Sequence, residues 1–416
     1  MTHAFQTPLR QVVYALSDAL DLVGVDDVAH GKRVGVMAAE CAKVLGWSQD
    51  DVLNLFDLGL LHDIGVSNTA THRHLVEEFD WAGSQGHAEL GYRLLRHFSP
   101  LAHMALPIRY HHTRWELLQE QGVSCPVALQ ANLILLVDRV DAMAAPHLAT
   151  GVLRHTVTIR AEIQKREGTY FSPELVAAFS KASLHEAFWL SLEPSALANY
   201  LHDMAQLGSA QLASNEDLLG LARIFARIVD AKSPFTASHS SGVARVARAL
   251  AERMGVSEAH CIQLEMAGLL HDLGKLRVPD EILEKPAPLA ESERQIMNSH
   301  SFETLQILKK IAGFEDITNW AANHHEAPGG HGYPFGLDGA TLPLEARILR
   351  VADIFQAMVQ DRPYRQGLTT DAVIRFMNEQ SQKGSVDATV CTVLLQHLDA
   401  IYAIARKPLA DEVTIA

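Results

Sequence analysis

Apolar residues recur at three- and four-residue intervals along most of the chain, and strand-like alternation is scarce. That spacing predicts amphipathic helices. Two segments show it in parallel: VGVMAAECAKVLG (34–46) and VARVARALAERMG (243–255) each carry an apolar stripe and close on a glycine, a common helix stop. Each is followed by a second helical segment, DDVLNLFDLGLLHDIG and HCIQLEMAGLLHDLGK, with a His–Asp pair at its C-terminal end. The run LILLV before Asp138 falls far short of the ~20 residues that span a bilayer and reads as part of a buried helix. The expected fold class is all-α, with two tandem helical bundles.

The parallel extends to the histidines. His30 precedes His62 by 32 residues, as His239 precedes His271. His87 precedes His111 by 24, as His300 precedes His324. A histidine pair follows in each half, His111–His112 and His324–His325. An aspartate in an apolar stretch closes each series, Asp138 in LILLVDRVDAM and Asp353 in ARILRVADIFQAM. Seven candidate ligands recurring in order mark a duplicated domain built around a metal centre. The tail GTYFSPELVAAF (168–179) has its parallel in KGSVDATVCTVLL (383–395), and the small, polar stretch AQLGSAQLASNED (205–217) is the expected boundary. The domains are placed at 1–206 and 215–416. Other histidines, among them His72, His74 and His155, have no partner series and read as core or cap positions.

Composition narrows the function. A net charge of −14 with no long basic run argues against a grip on duplex nucleic acid, which needs many cations to displace counterions. A small anionic substrate fits, because metal ions supply a local positive field. Cys41, Cys125, Cys261 and Cys391 are scattered without a CxxC pair, which argues against a disulfide framework or a thiolate zinc site. The N-terminus lacks the basic start and apolar core of a signal peptide. A cytoplasmic protein without a membrane span is expected.

Nitrogen and oxygen donors without sulfur suit Fe, Mn, Zn or Ni. Seven donors exceed the needs of one tetrahedral ion and suit two divalent ions, with Asp272 bridging them. Paired ions cleave phosphodiesters by polarising the phosphoryl oxygens and holding a bridging hydroxide as nucleophile. Lys275, three residues beyond Asp272, is placed to contact a phosphate.

With HDLGK, the His–His pair and HGYP (331–334), the second repeat resembles the HD-GYP family of HD phosphohydrolases, over roughly residues 220–395. VPDEILEKPAPL, LPLEARILRVADIFQAM and DRPYR agree with it. The resemblance implies a bacterial phosphodiesterase that opens cyclic di-GMP to linear pGpG, and onward to GMP, with a di- or tri-metal centre, often of iron. Carried over by position, the metal ligands are His239, His271, Asp272, His300, His324, His325 and Asp353. Asp272 and Lys275 are the catalytic candidates, and Lys275, Tyr333, Arg362 and Arg365 the substrate contacts. The GYP loop is also a candidate docking surface for a diguanylate cyclase. Three-metal members have a glutamate four residues before the first histidine; Phe235 stands there, so two ions are expected. Gln356 replaces a usual aspartate and Gly329 a usual polar residue, both bearing on substrate positioning.

The first repeat keeps His30, His62, Asp63, His87, His111, His112 and Asp138 as a possible second metal site, with Asp26 one turn before His30. It has Val66 in place of Lys275, no GYP segment, and His147 where Arg362 would fall. A regulatory or structural module is expected. Two other functions stay open: a phosphodiesterase for a related cyclic dinucleotide such as cyclic GMP–AMP, and a non-catalytic cyclic-dinucleotide sensor or partner-docking module.

Overall fold

The computed structural model describes residues 7–24, 29–207, 211–233, 238–361 and 366–408. Asp26, Phe235, Arg362 and Arg365 lie outside these described residues. Regular structure among the described residues is helical, and pairing of extended backbone is limited to isolated bridges. The all-α architecture is that of two helical units. No single helix is long and apolar enough to cross a membrane.

One unit is Leu20–Gln211. Its central helix, Cys125–Ala144, buries Leu133, Ile134, Leu136, Val137 and Val140, so it is apolar nearly all round, as a core helix must be. Asn132 on that helix is buried but satisfied. It donates from Nδ2 to the Tyr170 carbonyl at 2.8 Å and accepts from the Ser172 amide at 2.8 Å. Those two bonds fasten the 168–172 segment to the core, and the tail continues as helix Pro173–Ala182.

The other unit contains Leu212 onward together with the described residues up to Ala19. This differs from a division at 1–206, which assigned the N-terminus to the first repeat. Val12, Val13, Leu16 and Ala19, on helix Leu9–Asp21, form a buried apolar stripe, and Thr7 donates from Oγ1 to the Ala312 carbonyl at 2.6 Å. The repeat read from the sequence starts at His30; the structure extends it upstream, since Asp21 and Asp230, each nine residues before the first histidine, accept from the Gly31 and Ser240 amides.

The two ligand-bearing helix pairs form alike. His30–Leu45 is followed by Gln49–Leu61, and His239–Arg253 by Glu258–Leu270. Ser48 and Ser257 are the N-caps of the second helix in each pair, their hydroxyls accepting from the Asp51 and His260 amides. Both helices end one residue before the His–Asp pair, so the histidine is the C-cap and the aspartate lies in the turn. That turn is pressed against the next ligand helix. A Cβ at Gly274 would stand 2.1 Å from the His300 carbonyl oxygen, and one at Gly65 would stand 2.0 Å from that of His87. Gly274→Ala must therefore push the turn away from the helix bearing His300. We expect a loss of about 1–3 kcal/mol, typical of overpacking a rigid contact, measured by urea unfolding. Unchanged stability would show that the turn relaxes freely.

Candidate metal centres

In the second repeat, helix ends and turns bring all seven expected ligands into neighbouring groups. His239, His271 and Asp353 form one; His271, Asp272 and His324 a second; His300, His324 and His325 a third. The ligand atoms within each group lie within 4.8 Å of one another. Asp272 stands between them. Its Oδ2 is 3.2 Å from His271 Nε2, while its Oδ1 faces His300 Nε2 at 3.5 Å and His324 Nε2 at 3.7 Å. Asp353 Oδ1 lies 3.1 Å from His239 Nε2.

Three imidazoles are oriented by their own backbone. His271, His300 and His324 donate from Nδ1 to the carbonyls of Gly268, Met297 and Ala321 at 2.8, 2.7 and 2.6 Å. With the proton on Nδ1, the Nε2 lone pair points into the centre, which is the tautomer a metal ligand needs. Burial pushes His300 down to about 4 and His324 and His325 well below the usual imidazole range. Burial would raise Asp272, but the His271 and Lys275 charges outweigh it and hold the carboxyl well below its usual range. Neutral His300, His324 and His325 beside an ionised Asp272 are the protonation states that ligation requires, whereas the neighbouring Asp272 carboxylate holds His271 above the usual imidazole value despite its burial. Without a cation, His300 Nε2 and His324 Nε2, 3.3 Å apart, present lone pairs to each other and to a carboxylate. His271 Nε2 and Asp272 Oδ1 are buried without a hydrogen-bond partner. Divalent ions fit this donor set and resolve its repulsion.

Lys275 comes to the same centre, its Nζ 2.5 Å from Asp272 Oδ2. Tyr333 stacks on His325, ring centroids 4.7 Å apart and tilted by 30°. A residue overlooked in the sequence holds this loop. Glu326 directly follows the His–His pair, is 1% exposed, and accepts from the amides of Phe335, Gly336 and Leu337 at 2.6, 3.1 and 2.9 Å. The available signal was an acidic residue directly after the His–His pair and ahead of the glycine-rich APGGHGYP segment. Gly332 makes the close approach possible, since its Cβ would fall 2.4 Å from the Ala327 nitrogen. Gln356 is buried against Gly242, where a Cβ would stand 2.3 Å from its amide carbon.

The first repeat gathers six of its seven candidates into two groups. Asp63, His87, His111 and His112 gather with all ligand atoms within 4.8 Å, and His30, His62 and Asp63 form a second group. Asp138 and its surroundings differ. Arg139 donates to Asp138 Oδ2 from Nη2 and Nε at 2.7 and 3.2 Å. Asp141, three residues on, accepts from Arg33 Nε and Nη2 at 2.7 and 2.8 Å and lies 2.8 Å from His30 Nδ1. Burial would lower His30, but Asp138 and Asp141 outweigh it and hold it well above the usual imidazole value. Arg33 and Asp141 occupy the places of Gly242 and Gln356, three residues after the first histidine and the last aspartate. Same-face spacing of this kind was legible but went unread. Val66 is buried and adds no charge where Lys275 stands. His147 stacks on His155, ring centroids 3.5 Å apart. His72, read as a core or cap residue, has its ring 6.3 Å from that of His30. A cleft of about 590 Å³ reaches His112, and its arginines are already engaged: Arg109 with Glu89 at 2.9 Å, Arg114 with Asp80.

Comparison with known proteins agrees with this duplication. Residues 28–145 and 223–390 each match the HD domain family. The chain is 36% identical over 409 residues to 3′3′-cGAMP-specific phosphodiesterase 1 of Vibrio cholerae, covering 96% of this chain and 94% of the relative. It is 34% identical over 192 residues to a cyclic di-GMP phosphodiesterase response regulator of Xanthomonas campestris, covering 46% of this chain and 50% of the relative. A crystal structure of a cyclic GMP-AMP specific phosphodiesterase of V. cholerae (V-cGAP3) shares the fold. It has a TM-score of 0.63 and 24% identity, and covers 94% of this chain and 97% of that one. With two HD copies, of which the second carries the HGYP segment and the clamped loop behind it, the chain belongs to the HD-GYP family.

Proposed function

We propose that the second repeat hydrolyses a cyclic dinucleotide, opening one phosphodiester of cyclic di-GMP to give linear pGpG. The observation that carries this reading is Asp272, set between two histidine groups with Lys275 on one of its oxygens. Water adds across the scissile P–O3′ bond, leaving a 3′-hydroxyl on one nucleotide and a 5′-phosphate on the other. Two divalent ions, iron being the best suited of Fe, Mn, Ni and Zn, would be held by His239, His271, Asp272, His300, His324, His325 and Asp353. When bound they supply Lewis acidity toward the phosphoryl oxygens and lower the pKa of water toward neutrality. The chain's own residues do the rest. The backbone carbonyls of Gly268, Met297 and Ala321 fix the imidazoles, and Asp272 offers one oxygen to each group. Lys275 brings a positive charge to the centre for the substrate phosphate, a task shared with Arg362 and Arg365. Tyr333, held by the Glu326 clamp, forms the wall beside His325. Phe335 in that loop and Phe302 beside it are 48% and 45% exposed, which suits docking of a diguanylate cyclase there.

Cyclic GMP–AMP is a second substrate reading with its own support. The relative that carries both repeats along nearly its whole length is named for that substrate, while the cyclic di-GMP relative above matches 46% of this chain. Comparing kcat/KM for the two dinucleotides on anaerobically purified protein, with Fe(II) or Mn(II) added, tests the reading. Failure to open either would refute it.

Three substitutions probe the roles. Asp272→Ala should remove nearly all hydrolysis while circular dichroism stays that of the parent; substantial turnover would refute the bridging role. Lys275→Ala should lower kcat/KM about ten- to a hundredfold, the equivalent of one charged phosphate contact of about 1.5–3 kcal/mol, with metal content unchanged. Metal loss would instead assign Lys275 to holding Asp272. Glu326→Ala strips three amides of a charged acceptor, and a fall in kcat/KM of at least about tenfold is expected at normal metal content. Full activity would show that the loop holds its shape without the clamp.

A further inference from the structure

The first repeat keeps all seven ligand types, yet its two halves are in different condition. Around Asp138 every charge is met from within the protein. Arg139 covers Oδ2, and His30 Nε2 stands 3.3 Å from Oδ1. The other nitrogen of His30 lies 2.8 Å from Asp141, which is itself held by two bonds from Arg33. Both imidazole nitrogens thus face carboxylates, and two guanidinium groups balance two aspartates. An ion entering here would have to displace Arg139 from Asp138 and break the contacts of His30 with Asp138 and Asp141, all made in a buried site.

Around the opposite oxygen of Asp63 the situation reverses. Oδ1 faces His87 Nε2 at 3.1 Å and His111 Nε2 at 3.7 Å, and those two nitrogens are 3.2 Å apart. His111 donates from Nδ1 to the Ile108 carbonyl, so its Nε2 brings a lone pair toward the carboxylate. Asp63 Oδ1 and His112 Nε2 are buried without a hydrogen-bond partner. Among the described residues this is the group of four whose donor atoms lie within 4.8 Å of one another. Of the four residues, His112 borders the 590 Å³ cleft.

We propose that the first repeat binds a single first-row divalent ion on Asp63, His87, His111 and His112, its other half being closed by the Arg33–Asp141–His30–Asp138–Arg139 ion network. Three imidazoles and one carboxylate make a four-donor set for such an ion. The centre is thereby a one-ion site without a lysine, a different object from the two-ion centre of the second repeat.

The test counts metal and does not depend on hydrolysis. In the full chain, His271→Ala/His324→Ala removes a member of every ligand group found in the second repeat. After anaerobic loading with Mn(II) and gel filtration, this background should retain one ion per chain and show the electron paramagnetic resonance signal of an isolated Mn(II). Adding His111→Ala should bring the count to near zero. Adding Asp138→Asn instead should leave it at one. His112→Gln, a milder change, should weaken Mn(II) binding at least about tenfold if His111→Ala proves unstable by thermal melting. Two ions or none in the background would overturn the proposal. So would loss of the ion on Asp138→Asn, which would place it in the His30 half, or its full retention after the His111 and His112 changes.

Discussion

The ligand cluster of the second repeat is organised around one buried carboxylate. Asp272 is 3% exposed and has imidazole nitrogens on both oxygens. An ionised aspartate so placed is costly unless compensated, and the neighbouring groups offer lone pairs as well as one lysine. The surrounding architecture serves to hold that arrangement. A capped helix ends at His271, and a glycine turn presses on the helix of His300. Backbone carbonyls take the Nδ1 protons of three histidines. Each device removes freedom from a ligand before an ion arrives, which is how a protein makes a tight site from ordinary side chains.

Much of this was legible in the sequence because duplication supplies its own control. One His–Asp pair is weak evidence, but the 32- and 24-residue spacings occur twice, and the structure brings those residues together in both units. In the structure the glycine after each His–Asp pair and the caps Ser48 and Ser257 recur in the same way. Most of what escaped notice had no counterpart in the other half. Arg33, Asp141 and Arg139 belong to the first repeat alone, and Glu326 to the segment that the first repeat lacks. The helix Leu9–Asp21 lies upstream of the histidine spacings, and its one repeated mark, Asp21 matching Asp230, is a single residue in otherwise different sequence.

Divergence between the copies is coupled rather than scattered. Arg33 and Asp141 in one copy stand where Gly242 and Gln356 stand in the other, and each pair is internally consistent. Arg33 needs a carboxylate, whereas the bulk of Gln356 needs the missing side chain at 242. Changing one member alone would strand a buried charge or force a clash, either of which costs kilocalories. The pairs therefore behave as two alternative packings behind the first histidine. One supplies a carboxylate to His30 Nδ1; the other leaves His239 Nδ1 without a hydrogen-bond partner.

That difference bears on how a duplicated metal fold can divide its labour. In the second repeat the cation near Asp272 is a lysine on a side chain 22% exposed, close enough to solvent to meet a phosphate. In the first repeat the cations are guanidinium groups on side chains 5% and 3% exposed, each committed to an aspartate by two bonds. A committed cation neutralises its partner but has little to offer an incoming anion. Charge count alone would rate the two centres alike. The direction in which each positive group is spent separates a centre whose cation reaches toward solvent from one whose cations are held by its own aspartates.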